Sequence, residues 1–318
     1  MFLSASLLLL AAATPASSQP VTRARFVMGT VCEITAPNER EIEAAFAQAV
    51  RIDRELLSTW KDQSELARLN SRGTAAVSPE LWDLLAVASD WSKRTAGAFN
   101  PLVRPLIDCW QTRGGGAVPD QNTLAVARAK TAIDNLTFQQ PRTIALLNGA
   151  AIEEGAFGKG YALDQMLAVF ESGSDAVLNF GGQLSVKGQA MVTIADPRKR
   201  DHAIAELILE NASLSTSSGS EKSFIAGGRS FSHLLDPRSG EALPARGSVS
   251  VIARSGLQAD ILSTALYVMG SVEGLRWSDQ HGVAAMFVDS DDSIRLSREF
   301  RRVAGGFSII DSRFQTKE

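Results

Sequence analysis

Histidine, cysteine and tyrosine are scarce in this chain: three, two and two among 318 residues. Cys32 and Cys109 are too few for the Cys or Cys/His spacing of a zinc site. They leave two readings: a disulfide in an oxidising compartment, or two thiols packed as small hydrophobes. A basic excess is missing too. With 32 Lys and Arg against 35 Asp and Glu the formal charge is −3, so there is no basis for a nucleic-acid partner. Any phosphate chemistry must then be local or use a metal to neutralise charge. Neither nucleotide fingerprint, G-x-G-x-x-G or G-x-x-x-x-G-K-[ST], occurs, and no tandem repeat or low-complexity tract is evident. The one long apolar run is the leader, where Leu7 to Leu10 and Ala11 to Ala13 precede Pro15, Ala16, Ser17 and Ser18. Residues 1–18 read as a cleaved secretory signal, too short for a comfortable membrane span. No Lys or Arg precedes the run and no cysteine follows it for a lipid anchor. The mature chain, 19–318, is expected to be exported as one domain with no transmembrane span.

What the chain does have is an acid–glycine–lysine stretch, Glu153-Glu154-Gly155-Ala156-Phe157-Gly158-Lys159-Gly160-Tyr161, running on to Asp164. Glycines let a backbone approach a ligand closely and adopt positive φ. A helix starting after such a turn aims N–H groups and partial positive charge at an anion. Lys159 adds a full charge. The pattern suits a phosphate-bearing ligand; the plainer reading is a glycine-rich strand-to-helix connection.

Around it, Arg25 to Ile34 alternates like a strand interrupted by Gly29. Ile42, Ala45, Phe46, Ala49, Val50 and Ile52 fall at helical spacing within 39–57. Ser78-Pro79 opens a helix with Leu81, Leu84, Leu85 and Ala88 as its stripe, and Asp120 caps another running to about Ala132. Gly114-Gly115-Gly116 reads as a flexible link. Strand-like runs follow at 176–180, 191–195, 205–209, 248–253 and 284–288, with helices at about 160–171 and 257–269. This order of hairpin-like strands and helices predicts an α+β fold.

Asp260 and Thr264 lie four apart in an otherwise apolar helical stretch, so their side chains stack on one face. A carboxylate in such company needs a partner. Carboxylate and hydroxyl oxygens suit a hard ion such as Mg²⁺; the alternative is that Asp260 caps the helix. His233, before Asp236-Pro237, is either a general base or a histidine holding the turn. Trp60 and Phe99 offer flat rings, or pack in the core.

In order, these segments resemble the FAD:protein FMN transferase (ApbE-type) family. The residues that carry the resemblance are Met28-Gly29-Thr30; Leu57 to Trp60 with Ser64-Glu65-Leu66 and Leu69-Asn70; Gly97-Ala98-Phe99-Asn100-Pro101 with Pro105-Leu106; and Gly155 to Asp164. Asn179 to Gly182, Ser215 to Gly219, Ser232 to Pro237 with Gly240, and Ala259 to Thr264 complete it. The resemblance implies a T-fold-like mixed sheet with packed helices and a flavin cleft. It places Met28, Trp60, Ala98, Phe99, Asn100, Glu153, Lys159 and His233 around FAD. It gives Mg²⁺ to the carbonyl of Ala156 and the side chains of Asp260 and Thr264, with His233 as candidate base. The implied activity is transfer of FMN from FAD to a Thr or Ser hydroxyl, releasing AMP. Implied acceptors are subunits of membrane-associated redox complexes bearing a Thr-containing motif; no such motif occurs in this chain. The implied location is the periplasm. Departures are Glu153 where Asp is usual, Glu154 where an apolar residue is usual, Asn100 for Asp, Trp60 for Tyr, and Ser263 at a sometimes acidic place. They keep two other readings open, an FAD pyrophosphatase and a non-catalytic FAD-binding carrier.

Overall fold

The computed structural model describes residues 19–219 and 223–317; the expected signal, residues 1–18, lies outside the described residues. Its main sheet runs Val21–Val27, Thr30–Ala36, Ala176–Phe180, Gln183–Asp196, Lys199–Ser218, Ser248–Ala253, Ala284–Val288, Ser293–Leu296 and Gln315–Thr316. Gly305–Ile309 pairs with the first half of Lys199–Ser218. Neighbours are antiparallel except the last pair, so the sheet is mixed. With helices packed against it, the fold is the expected α+β.

Side-chain alternation along the strands builds a core on each face. Ile34, Leu178, Val251 and Phe287 join a cluster with Phe46, Leu163, Ile261 and Leu266 from three helices, Glu39–Arg51, Gly158–Leu167 and Gly256–His281. Ile252, Ala284, Met286 and Val288 point the other way, into a cluster with Ile194, Leu207 and Phe300. Strand Ala284–Val288 is buried at every residue, as a strand covered on both faces must be. A third cluster gathers Leu106, Trp110, Phe224 and Phe231.

The helix Gly256–His281 is broken at Gly270, φ 78 and ψ 171, a backbone conformation open to glycine. Ser255 caps its start by accepting from the Gln258 N–H. Asp164 accepts from Gly256 N at 2.5 Å and Leu257 N at 3.0 Å. Asp260 therefore sits inside the helix, and the capping alternative falls away. Ser78 and Asp120 are N-caps as expected. Both cysteines are free thiols, Cys32 in the first core cluster and Cys109 beside the third; burial pushes the Cys32 thiol up to about 12. Among the described residues no helix is long and apolar enough to cross a membrane.

Candidate active site

The Gly158–Leu167 and Gly256–His281 helices meet backbone to backbone. A Cβ on Gly160 would lie 2.3 Å from the Gly256 carbonyl oxygen and 2.6 Å from the Asp260 Cβ. This approach lets Gly160 N–H donate to Asp260 Oδ2 at 2.9 Å. Gly155, Gly158 and Gly160 all keep negative φ, since none is among the left-handed residues. So Gly160 serves helix contact, and its amide goes to the chain's own carboxylate.

Asp260, 2% exposed, takes a second bond on Oδ1 from Gln183 Nε2 at 2.6 Å. Around it the oxygens crowd. Ser263 Oγ lies 3.1 Å from Ser215 Oγ and 2.9 Å from Ser217 Oγ, and Ser217 Oγ lies 3.4 Å from Thr264 Oγ1. Gln183 Oε1 is buried with no hydrogen-bond partner. One carboxylate, several hydroxyls and a carboxamide oxygen form a hard donor set that fits Mg²⁺. Among the described residues no three His, Cys, Asp or Glu side chains cluster as metal ligands.

In the turn that leads into the Gly158–Leu167 helix, around Glu153, lies a charged wall. Trp60 is 69% exposed, with the Arg113 guanidinium 4.6 Å and that of Arg104 6.0 Å from its ring centre, in cation–π range. Arg113 Nη2 donates to Glu153 Oε1, and Arg104 lies 3.7 Å from Glu153 Oε2. Burial, then the Glu154 charge, push the Glu153 carboxyl up to about 7 against the pull of both arginines. Burial likewise raises Glu154, whose Oε1 accepts from the Thr59 hydroxyl at 3.2 Å. One oxygen of each acid, Oε2, is buried with no hydrogen-bond partner. Lys159, half-buried in the first turn of its helix, pairs with no acid among the described residues.

The other expected residues sit at varied depth. Met28, φ 47, and Gly29, φ 76, form the turn between the first two strands, the geometry of a two-residue hairpin. Ala98 and Phe99 are 1% exposed, and Phe99 meets Phe157 edge-on at 6.3 Å. Asn100 spends its amide on backbone: Nδ2 donates to the Thr131 carbonyl at 2.7 Å, and Oδ1 accepts from Leu102 N at 2.9 Å. His233 is half-buried in a loop held by the Trp110 Nε1 bond to the Gly240 carbonyl and by Gly240 N to Asp236 O. Its neighbour Ser232 donates its N–H to the Leu243 carbonyl at 2.8 Å, and three residues on the Arg246 carbonyl accepts from the Tyr267 hydroxyl at 2.6 Å. Tyr267 follows Thr264 by three residues, so the His233 loop is tied to the Asp260 helix. The structure thus brings Asp260, Thr264 and Gly160 together, and joins Trp60 to Glu153 through Arg113. Gln183, Arg104 and Arg113 were not anticipated. Gln183 follows a Gly-Gly turn, and the two arginines lie some forty residues or more from Glu153, so no local pattern marks them.

Fold and site together define an α+β protein with an oxygen-donor site between two helices and an arginine–tryptophan wall at the turn leading into one of them. The ApbE family model matches residues 28–287. The chain belongs to the ApbE family. It is 32% identical over 324 residues to the FAD:protein FMN transferase of Rhodobacter capsulatus, covering 92% of this chain and 60% of that protein. It is 27% identical over 336 residues to the FAD:protein FMN transferase of Treponema pallidum, covering 92% and 90%. The crystal structure of the ApbE protein of Thermotoga maritima superposes with a TM-score of 0.83 at 26% identity, over 90% of this chain and 99% of that one.

Proposed function

We propose that this chain is an FAD:protein FMN transferase, moving FMN from FAD to a threonine or serine hydroxyl of a partner protein. The observation that carries the reading is the bond from Gly160 N–H to the Asp260 carboxylate. It joins segments 155–164 and 259–264, two of those that carry the family resemblance, in one oxygen-rich site. Asp260, Thr264 and the Ala156 carbonyl would hold Mg²⁺, which would neutralise charge on the FAD pyrophosphate. Lys159 lends its ammonium to the same phosphates. Trp60 offers its ring to an aromatic ligand, with Arg104 and Arg113 bringing positive charge to that wall. Glu153 bonds the ligand or the arginines, and Met28 with the 98–100 turn borders the flavin.

The acceptor hydroxyl oxygen attacks the phosphorus on the FMN side of the pyrophosphate. A P–O bond forms there as the bond to the bridging oxygen breaks. AMP leaves with that oxygen, the hydroxyl proton goes to His233, and FMN stays attached by a phosphoester. The leader composition and the family support export to the periplasm, with acceptors in membrane-associated redox complexes presenting a Thr-containing motif. The test is incubation of the protein with FAD, Mg²⁺ and such an acceptor, read by intact mass. The acceptor gains an FMN phosphoryl group if the reading holds. Free FMN without adduct would make the chain a pyrophosphatase, and unchanged FAD would make it a carrier. Asp260→Ala should abolish the Mg²⁺-dependent reaction while circular dichroism shows the fold intact; full activity in that variant would sink the site.

A further inference from the structure

We propose that Gln183 is a positioning residue that sets the Asp260 carboxylate for cation binding and presents its own free carbonyl oxygen to the site. The inference rests on the reading of Asp260 as a cation ligand. Gln183 is 7% exposed, and its two amide atoms differ sharply. Nε2 donates to Asp260 Oδ1 at 2.6 Å, whereas Oε1 is buried without a partner. The orientation is fixed by chemistry, because a carboxylate accepts and only the NH₂ end donates. Gly160 N holds the other carboxylate oxygen. Asp260 is thereby pinned from two elements, a strand and a helix, so its plane cannot turn freely. A buried carbonyl oxygen left unpaired carries a cost. A donor arriving with the ligand, a coordinated water or a substrate hydroxyl, would relieve it.

The local chain is built to place this glutamine. Phe180 pairs with Gln183 across a two-residue turn, with Gly181 at φ 65 and Gly182 at φ 94. Both angles are positive, as such a hairpin turn requires. Asn179 Oδ1 accepts from Gly182 N at 3.0 Å and locks the turn. Gln183 is the first strand residue after it, on the face turned to the Gly256–His281 helix. The Asn179 to Gly182 segment thus acts through the residue that follows it.

Groups that orient a metal ligand typically change affinity by about 10- to 100-fold when removed. The experiment is Mn²⁺ binding to the full chain, followed by electron paramagnetic resonance, for wild type, Gln183→Met and Gln183→Leu. Each substitution should weaken Mn²⁺ binding about 10- to 100-fold and raise the Mg²⁺ needed for half-maximal turnover, with the KM for FAD at saturating Mg²⁺ little changed. Gln183→Met matches the length of glutamine and carries the test if Gln183→Leu fails to fold. Ser185→Ala, on the same face two residues on, removes a buried hydroxyl bonded to Ser213 at 2.7 Å. It should lower the melting temperature and leave Mn²⁺ binding alone. Equal Mn²⁺ affinity in wild type and Gln183→Met overturns this inference alone. Absence of Mn²⁺ binding by the wild type overturns the cation site and this inference with it.

Discussion

Gly160→Ala sets local propensity against tertiary contact. Within a helix, alanine is favoured over glycine by about 1 kcal/mol, so propensity alone expects a more stable protein. The helix crossing expects the reverse. The new Cβ would stand 2.3 Å from the Gly256 carbonyl oxygen, where ordinary contact begins at 3.4 Å. The helices must part by about 1 Å, and neither obstacle is the flexible end of a side chain. Overpacking of this kind costs about 1–3 kcal/mol. Parting also stretches the 2.9 Å bond from Gly160 N to Asp260, and a hydrogen bond to a charged group contributes about 1.5–3 kcal/mol. Set against the propensity gain, the net loss is about 1.5–5 kcal/mol. Urea unfolding of wild type and variant measures it, and Mn²⁺ affinity should fall in parallel because Asp260 moves. A variant as stable as wild type, or more so, would refute the close crossing.

Three further outcomes follow from the same geometry. Glu153 has its carboxyl raised from 4.5 to about 7, so the folded chain keeps a proton that the unfolded chain releases. Its stabilising contribution is full below about 4.5 and is lost as pH rises to about 7. Glu153→Gln should therefore gain on wild type by about 1–3 kcal/mol between pH 5 and pH 8 in urea unfolding; a pH-independent difference contradicts the burial argument. Trp60→Ala should weaken FAD binding about fivefold in a fluorescence titration, from loss of about 1 kcal/mol of stacking, and Trp60→Phe should retain most of it. Unchanged affinity in Trp60→Ala would remove the ring from the site. Thiol titration without reductant should find both cysteines free after unfolding, and in the native protein Cys109 should react before Cys32, which is 0% exposed. A chain lacking free thiols would contradict the separation of the two.

Much of the scaffold was legible because short strands buried on a known face carry strong patterns. Strands 176–180, 248–253 and 284–288 lie where the apolar runs put them, and Ser78 and Asp120 cap their helices as their residue types imply. The long hairpin was only glimpsed. Runs at 191–195 and 205–209 belong to strands Gln183–Asp196 and Lys199–Ser218. Register shifts between Val186 and Gln189, and again near Ala195, break the alternation that marks a strand. The small sheet of Thr74–Ala76, Leu136–Gln139 and Thr143–Leu146 was not foreseen, since three or four residues carry no readable period. At the site, Asp260 and Thr264 stood out because a polar pair in an apolar helix demands a reason. Gly160 was visible as well, but its contact with Gly256 joins residues 96 positions apart, beyond any local rule. Gln183, Arg104 and Arg113 were silent for the same reason: their partners are distant in sequence.

The central claim is transfer of FMN rather than its release, and product stoichiometry tests it most directly. With FAD, Mg²⁺ and a Thr-bearing acceptor, chromatography counts AMP while the acceptor's bound flavin is measured by absorbance. The account predicts one bound FMN for each AMP, with both products lost in Asp260→Ala. AMP matched by free FMN, with the acceptor unmodified, would contradict it.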